Sequence, residues 1–191
     1  MKHLITGGSG FLGNLIMKQL LNSGEEVKIL DIWKSQNHPK DVEFFNCDIR
    51  DRDSVKKAME GVDIVHNNVA LVPLTKSGKL FWDVNVNGSK IAAEEALKAG
   101  ISGFIHMSSS AIYGDVNKFP IDNNTETKPI EIYGNAKLAG ETAVIETLKK
   151  HDISKIIIRP RTILGEGRLG IFQILFDWIR DNKNVYVVGS G

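Results

Sequence analysis

Short apolar runs alternate along the chain with longer segments in which apolar residues recur every three or four positions. The runs predict strands at Met1–Thr6, Glu26–Leu30, Val42–Asn46, Val62–His66, Gly103–Met107, Lys155–Ile158 and Val185–Val188. The periodic segments predict helices at Phe11–Asn22, Arg52–Met59, Leu80–Lys98, Ile130–Lys150 and Ile171–Asp181. Nearly continuous apolar strands separated by helices are typical of a parallel sheet that is covered on both faces. We therefore expect an α/β fold with a doubly wound, Rossmann-type parallel sheet.

Composition and charge exclude several classes of protein. Of the 191 residues, 42% are apolar, which is enough for a packed core, and the formal net charge of +1 gives no reason to expect nucleic acid or an anionic membrane as a partner. No apolar run is long enough to span a bilayer. The single cysteine, Cys47, excludes an internal disulfide and fits a reducing compartment, so we expect a cytoplasmic protein. The histidines and Cys47 lack the spacing of metal ligands, and no metal site is predicted.

A glycine-rich segment, TGGSGFLG, follows the first predicted strand and opens the first predicted helix. It contains G-x-G-x-x-G from Gly8 and G-x-x-G-x-x-G from Gly7. Early glycines allow the tight turn, Gly10 allows a pyrophosphate to touch the backbone, and Gly13 lets helix and strand pack closely. The N–H groups at the start of the helix hold phosphate charge. The predicted cofactor-binding residues here are Gly7, Gly10, Phe11, Leu12 and Gly13.

An aspartate at the end of the second predicted strand bears on which dinucleotide binds. Asp31 stands where the dinucleotide-binding pattern places an acid that binds the adenosine ribose, and its charge would repel a 2′-phosphate. NAD is therefore the predicted cofactor, although Lys34 close behind keeps NADP as an alternative. Asp48 and Ile49, after the third strand, are predicted to meet the adenine ring.

Tyr133 and Lys137 are four residues apart on a predicted helix, a spacing that is also common on solvated helix faces. A phenol is a poor base at neutral pH, and a lysine ammonium one helical turn away favours the phenolate. Ser108, Ser109 and Ser110 follow the fifth predicted strand, at the sheet edge where doubly wound folds place ligands.

Five segments in order, TGGSGFLG, CDIRD, VNVNGS, SSSAIYGD and YGNAK, resemble the extended short-chain dehydrogenase/reductases, in the branch of nucleotide-sugar epimerases and dehydratases. The resemblance implies an NAD-dependent enzyme in which Tyr133 is the acid/base, Lys137 binds the nicotinamide ribose and Ser109 holds the substrate oxygen. Ser110 is the alternative if the turn is shifted by one residue. Further cofactor contacts implied by the resemblance are Ala70, Asn85 (with Asn87 as the alternative) and Pro160.

The chain also departs from the family pattern. Asn67 and Asn68 stand where small residues are usual, which leaves the contact at Ala70 open. Ser110 and Ala111 replace the Asp-Glu pair of the sugar dehydratases, so elimination chemistry is disfavoured. The resemblance implies a dinucleotide-binding domain over residues 1–165, with 166–191 as the truncated beginning of a smaller substrate-binding region.

The predicted function is therefore an NAD(P)-dependent epimerase that acts on a small-molecule substrate, a nucleotide-sugar, by transient hydride transfer. Two alternatives remain: a reductase or dehydrogenase of a hydroxysteroid or small carbonyl compound, and a non-catalytic NAD-binding module. The resemblance also implies a homodimer formed by the helices at Leu80–Lys98 and Ile130–Lys150, although the sheet could equally cover their apolar faces.

Overall fold

The computed structural model describes residues 1–72, 79–117, 119–168 and 172–184. The strands are β1 (Lys2–Thr6), β2 (Glu26–Asp31), β3 (Glu43–Asn46), β4 (Ile64–Asn67), β5 (Gly103–Met107) and β6 (Ser154–Ile158). The helices are α1 (Phe11–Asn22), α2 (Arg52–Met59), α3 (Lys79–Trp82), α4 (Ser89–Ala99), α5 (Ile132–Leu148) and α6 (Phe172–Arg180). A π-helical segment, Asp83–Gly88, joins α3 to α4, and a 3-10 turn, Ser110–Tyr113, follows β5.

The sheet has the strand order β3-β2-β1-β4-β5-β6, and its strand pairs are all parallel. The chain moves outward from β1 to β3 and then returns to the other side of β1 at β4. The carboxyl ends of β1 and β4 therefore border the point where the winding reverses, which is where doubly wound sheets bind ligands. The predicted fold class is confirmed.

The two faces of the sheet explain the apolar strands. Alternate residues of β1 point to opposite faces, so Leu4 and Ile5 belong to different cores. Leu4 packs with Val65 and Phe104 in the larger core, which also holds buried residues of α2, α4 and α5. Ile5 packs with Met17 of α1 in the smaller core. Burial on both faces is why these strands read as continuous apolar runs.

Most predicted bounds, including those of the helix over Leu80–Lys98, lie within two residues of the observed ones. That helix runs through α3, the π-helical segment and α4 with helical backbone at both junctions, and only the π-helical segment within it was not predicted. A π-helical segment carries an extra residue per turn and changes the direction of the side chains that follow. Here it places the Asn85 side chain on the backbone of Leu71. The predicted strand Val185–Val188 lies outside the described residues.

The described chain forms two compact units, one from Met1 to Arg161 and one beginning at Thr162. Helix α6 belongs to the second unit. The predicted domain boundary at residue 165 stays a prediction. Within the described ranges, no helix is long and apolar enough to cross a membrane.

Candidate active site

The glycine loop between β1 and α1 is shaped by contacts that exclude side chains. Gly7 has a φ of +68°, and a Cβ on Gly13 would lie 2.4 Å from the Gly7 carbonyl oxygen and 2.5 Å from the Gly8 Cα. A Cβ on Gly10 would meet only the Gly7 oxygen, at 3.4 Å. Gly7 and Gly13 are thus required by the turn itself, whereas Gly10 keeps space open at the amino end of α1.

Asp31, at the end of β2, is joined to this loop. Its Oδ2 accepts a hydrogen bond from the Ser9 N–H at 3.0 Å, and its Oδ1 accepts from the Ile32 N–H at 2.7 Å. Ser9 Oγ donates to the Trp33 carbonyl at 2.5 Å. The structure therefore brings the predicted ribose-binding acid directly beside the predicted phosphate-binding loop.

The two residues predicted to meet adenine have other contacts in this structure. Arg50 donates to both Asp48 oxygens, through Nε at 2.9 Å and through a second guanidinium nitrogen at 2.7 Å. These bonds hold the pKa of the Asp48 carboxyl below its ordinary value. Ile49 is buried, and a Cβ on Gly88 would lie 2.5 Å from its Cγ2. Contact of either residue with a cofactor stays a prediction.

Asn85 clamps the loop that follows β4. Its Oδ1 accepts from the Leu71 N–H at 2.8 Å, and its Nδ2 donates to the Leu71 carbonyl at 3.2 Å. Ala70 stands in the chain between two residues whose backbone is bound. Leu71 is held by Asn85, and the Val69 N–H is 3.5 Å from Thr6 Oγ1. Asn87, the alternative, is exposed. Its Nδ2 donates a hydrogen bond to the Asp83 carboxylate at 3.1 Å. The structure assigns the buried clamp to Asn85.

A buried polar row crosses the carboxyl ends of three neighbouring strands. Thr6 Oγ1 donates to Asn67 Oδ1 at 2.8 Å, and Asn67 Nδ2 lies 3.0 Å from His106 Nδ1. These residues are paired in register on β1, β4 and β5. Because the Asn67 amide donates, His106 Nδ1 accepts and the imidazole is neutral. Burial, together with the nearby Lys137 charge, lowers the pKa of His106 to about 3.

The serine run forms the turn after β5. Ser109 is the N-cap of the 3-10 turn, and its Oγ accepts from the Ala111 N–H at 3.1 Å. The Ser110 N–H donates to the Pro160 carbonyl at 2.9 Å, so the predicted nicotinamide-side residue Pro160 holds this turn to the end of β6. Ser109 is buried, and Ser108 Oγ has no hydrogen-bond partner among the described residues.

Helix α5 rests against the sheet through small residues at close contacts. A Cβ on Gly134 would lie 2.5 Å from the Ala111 carbonyl oxygen, and a Cβ on Gly140 would lie 2.3 Å from the Asn85 carbonyl oxygen. Between these glycines, Lys137 Nζ donates to the Met107 carbonyl at 2.6 Å. The helix is therefore fixed to the serine turn, to β5 and to the Asn85 segment at successive turns.

Lys137 is almost fully buried, with 3% of its surface exposed. Burial lowers the pKa of its ammonium to about 8, and the carboxylate of Glu141 opposes that shift. Tyr133, one turn earlier, is half-buried, and its ring makes an edge contact with Phe81 of α3 at a centroid distance of 6.1 Å. The alternative interpretation placed both residues on a solvated helix face. Lys137 does not lie on such a face, because its side chain is buried.

A buried ion pair lies one turn beyond Lys137. Arg159 donates two hydrogen bonds to the Glu141 carboxylate, one of them from Nε at 3.1 Å, and a third to the Tyr113 hydroxyl at 2.8 Å. Sequence reasoning missed Glu141, although its position four residues after Lys137 places both on one helix face. It also missed Phe81 and the partnership of Asn67 with His106.

The described residues contain no group of three or more His, Cys, Asp or Glu side chains that could hold a metal ion. The chemistry available in the first unit is that of the Ser-Tyr-Lys set and the glycine loop.

The profile of the NAD dependent epimerase/dehydratase family matches residues 3–191. The chain belongs to this family. The resemblance on which the sequence analysis relied is therefore confirmed, and with it the assignment to a family of enzymes of the short-chain dehydrogenase/reductase type.

Two similar proteins show the range of sequences within the family. The uncharacterized protein y4nG of Sinorhizobium fredii is 43% identical over 98% of this chain and 48% of its own length. The decarboxylating sterol-4-alpha-carboxylate 3-dehydrogenase of Mus musculus is 32% identical over 100% of this chain and 53% of its own. The chain thus spans about half the length of these curated relatives.

The structure of UDP-glucuronic acid 4-epimerase from Bacillus cereus, in complex with UDP-glucuronic acid and NAD, matches with a TM-score of 0.84 and 25% identity. The match covers 100% of this chain and 67% of the epimerase chain. The fold described above is therefore the fold of a solved epimerase that binds both NAD and a nucleotide-sugar.

Proposed function

We propose that the protein is an NAD-dependent epimerase of a nucleotide-sugar, with Tyr133 as the acid/base, Lys137 as its charged neighbour and Ser109 as the residue that holds the reacting oxygen. The observation that carries the proposal is the buried Lys137 on α5, fixed to the end of β5 immediately before the serine turn. The Bacillus cereus epimerase, with its two bound molecules, supports the reaction class.

The described residues fit NAD. The Gly10 position is open where a pyrophosphate would approach the amino end of α1, and Asp31 lies beside the same loop. We infer that Gly7, Gly10, Phe11, Leu12 and Gly13 contact the pyrophosphate and that Asp31 binds the adenosine ribose. The carboxylate disfavours the 2′-phosphate of NADP. When bound, the nicotinamide supplies a reversible hydride acceptor.

The residues of this chain supply proton transfer and orientation. Tyr133 would take the proton of a sugar hydroxyl when the carbon gives its hydride to a bound nicotinamide, and would return that proton to the same oxygen when the hydride comes back to the opposite face of the ketone. The Lys137 charge, one helical turn away, favours the phenolate that this step needs. Ser109 Oγ is used as an acceptor by Ala111, so its O–H is directed by the turn and can donate to the substrate oxygen.

An epimerisation assay tests the proposal. The protein that carries this chain is incubated with UDP-glucose or UDP-glucuronic acid, and the 4-epimer is followed by proton NMR. We expect epimer formation without net NADH, and we expect Tyr133→Phe to abolish it while NAD binding survives. Turnover that persists in Tyr133→Phe would remove Tyr133 from the mechanism.

A second candidate is a dehydrogenase of a hydroxysteroid or small carbonyl compound. The Mus musculus sterol dehydrogenase is as similar over the whole chain as the epimerases are, and the apolar ring of Phe81 lies against Tyr133. Net NADH formation with a hydroxysteroid, and none with a nucleotide-sugar, would favour this candidate. A non-catalytic NAD-binding module predicts NAD binding with neither activity.

A homodimer through α4 and α5 also remains part of the proposal.

A further inference from the structure

Glu141 and Arg159 form an ion pair one helical turn beyond Lys137, in which Glu141 is buried and Arg159 is partly exposed. Glu141 is 2% exposed and its oxygens are held by Nε and a terminal nitrogen of the Arg159 guanidinium. The remaining terminal nitrogen donates to the Tyr113 hydroxyl at 2.8 Å, and Arg159 Cζ lies 5.4 Å from the Tyr113 ring centroid. Three elements thus meet at one guanidinium: α5, the 3-10 turn and the end of β6.

The spacing along α5 links this pair to the site. Tyr133, Lys137 and Glu141 follow one another at intervals of four residues, so their side chains lie along one face of the helix. The last two are both buried. A carboxylate beside a buried ammonium favours the charged form of the ammonium.

We propose that Glu141, held by Arg159, is a positioning residue for the candidate active site: its carboxylate keeps the Lys137 ammonium charged, and the pair fixes α5 against the serine turn. The inference rests on the proposed function only for the role of Lys137. It does not depend on which substrate the protein uses.

The electrostatic surroundings of Lys137 favour this role for Glu141. His106 of β5 is held neutral by its hydrogen bond to Asn67, so it adds no positive charge beside the Lys137 ammonium. The Met107 carbonyl supplies a dipole and Tyr133 lies one turn away. Glu141 is therefore the carboxylate that offsets the burial of Lys137, whose ammonium would otherwise lose more of its charge near neutral pH.

Arg159 gives the buried Glu141 carboxylate a guanidinium partner that binds both of its oxygens. Removing one member of such a pair leaves the other charge without compensation. Glu141 also raises the pKa of Arg159 above its ordinary value, which is the reciprocal effect. Arg159 holds the Glu141 carboxylate in place, and Glu141 lies one helical turn from Lys137.

The test is an NMR titration of the Lys137 ammonium in protein with labelled lysine, compared among the wild type, Glu141→Gln and Glu146→Gln. Glu146 is the matched control, because it lies on the same helix, is exposed and pairs with Lys149 instead. We expect Glu141→Gln to lower the pKa of Lys137 by about one unit. The charged fraction at pH 7 would then fall from about nine tenths to about half. Glu146→Gln should leave both unchanged.

A second variant covers the case in which Glu141→Gln does not fold because Arg159 is left unpaired. The double variant Glu141→Gln, Arg159→Met removes both charges together, a change that proteins tolerate better than a broken pair. It should also lower the pKa of Lys137, but by less than Glu141→Gln does, because the positive charge of Arg159 is removed together with the carboxylate. An unchanged pKa of Lys137 in any folded variant that lacks Glu141 would overturn the proposal.

The titration separates this inference from the proposed function. If the pKa of Lys137 falls in Glu141→Gln but no substrate is turned over by the wild type, the inference stands and the proposed function fails. NAD binding adds an independent measurement, since its loss at alkaline pH should begin about one pH unit lower in Glu141→Gln than in Glu146→Gln. Identical pH dependence in the two variants would contradict the role of Glu141.

Discussion

Lys137 Nζ donates a hydrogen bond to the carbonyl of Met107, 2.6 Å away at the carboxyl end of β5. This bond joins the helix that carries Tyr133 to the strand that leads into Ser109. It also fixes a charge at the carboxyl edge of the sheet, at the end of β5. The arrangement of the candidate catalytic residues follows from this one contact and from the glycines on either side of it.

Replacement of Lys137 should weaken NAD binding. Lys137→Met removes the ammonium that we propose binds the nicotinamide ribose, so the Kd for NAD should rise about tenfold to a hundredfold, as expected for loss of a charged hydrogen bond. Lys149→Met, on the exposed side of the same helix, is the control. Isothermal titration calorimetry measures both. Equal affinity in the two variants would place Lys137 outside the cofactor site.

Substitution of two glycines of the loop should have different effects, one on stability and one on NAD binding. Gly13→Ala places a Cβ 2.5 Å from the Gly8 Cα, so it should lower the free energy of unfolding by about 1–3 kcal/mol. Gly10→Ala meets only an atom at 3.4 Å and should keep the stability while weakening NAD binding. Denaturant unfolding and NAD titration separate these effects. Wild-type affinity in Gly10→Ala would show that the pyrophosphate does not approach there.

Asn85 and Asn87 offer a matched pair within one segment. Asn85→Ala leaves the N–H and the carbonyl of Leu71 without their side-chain partner, which should cost about 2–3 kcal/mol of unfolding free energy. Asn87→Ala removes one exposed bond and should change it by less than about 0.5 kcal/mol. Urea unfolding measures both values. Similar costs would mean that the Leu71 clamp contributes little.

His66 should make the protein sensitive to acid. Its Nε2 lies 3.0 Å from His3 Nδ1, and burial, followed by the charge of His3, lowers the pKa of His66 to about 4. In the unfolded chain His66 binds a proton near pH 6.5, whereas in the folded chain it does so only near pH 4. The free energy of unfolding therefore decreases as the pH falls from about 6.5 towards 4. This group should contribute about 2–3 kcal/mol of the loss between pH 7 and 4.5.

The comparison of His66→Asn with His151→Asn isolates that contribution. His151 is exposed and should leave the pH dependence of unfolding as in the wild type. His66→Asn should flatten it. A steep acid loss that persists in His66→Asn would assign the effect to carboxylates instead.

Local patterns predicted the sheet because its inner strands are buried on both faces and each helix ends near a glycine or a polar turn. They did not predict the π-helical segment, whose Asn85 side chain bonds to the backbone of Leu71, fourteen residues earlier in the chain. The glycine loop and the Tyr133–Lys137 spacing identified the site because their chemistry depends on short spacings. Arg159 and Glu141 are eighteen residues apart, and only the packing of α5 against β6 brings them together.

Native mass spectrometry of the folded chain with NAD shows whether the glycine loop and Asp31 bind this dinucleotide. We expect a complex with one NAD per chain, and weaker binding of NADP because Asp31 lies beside the glycine loop. A chain that is folded by circular dichroism but carries no NAD at saturating concentration would contradict this expectation.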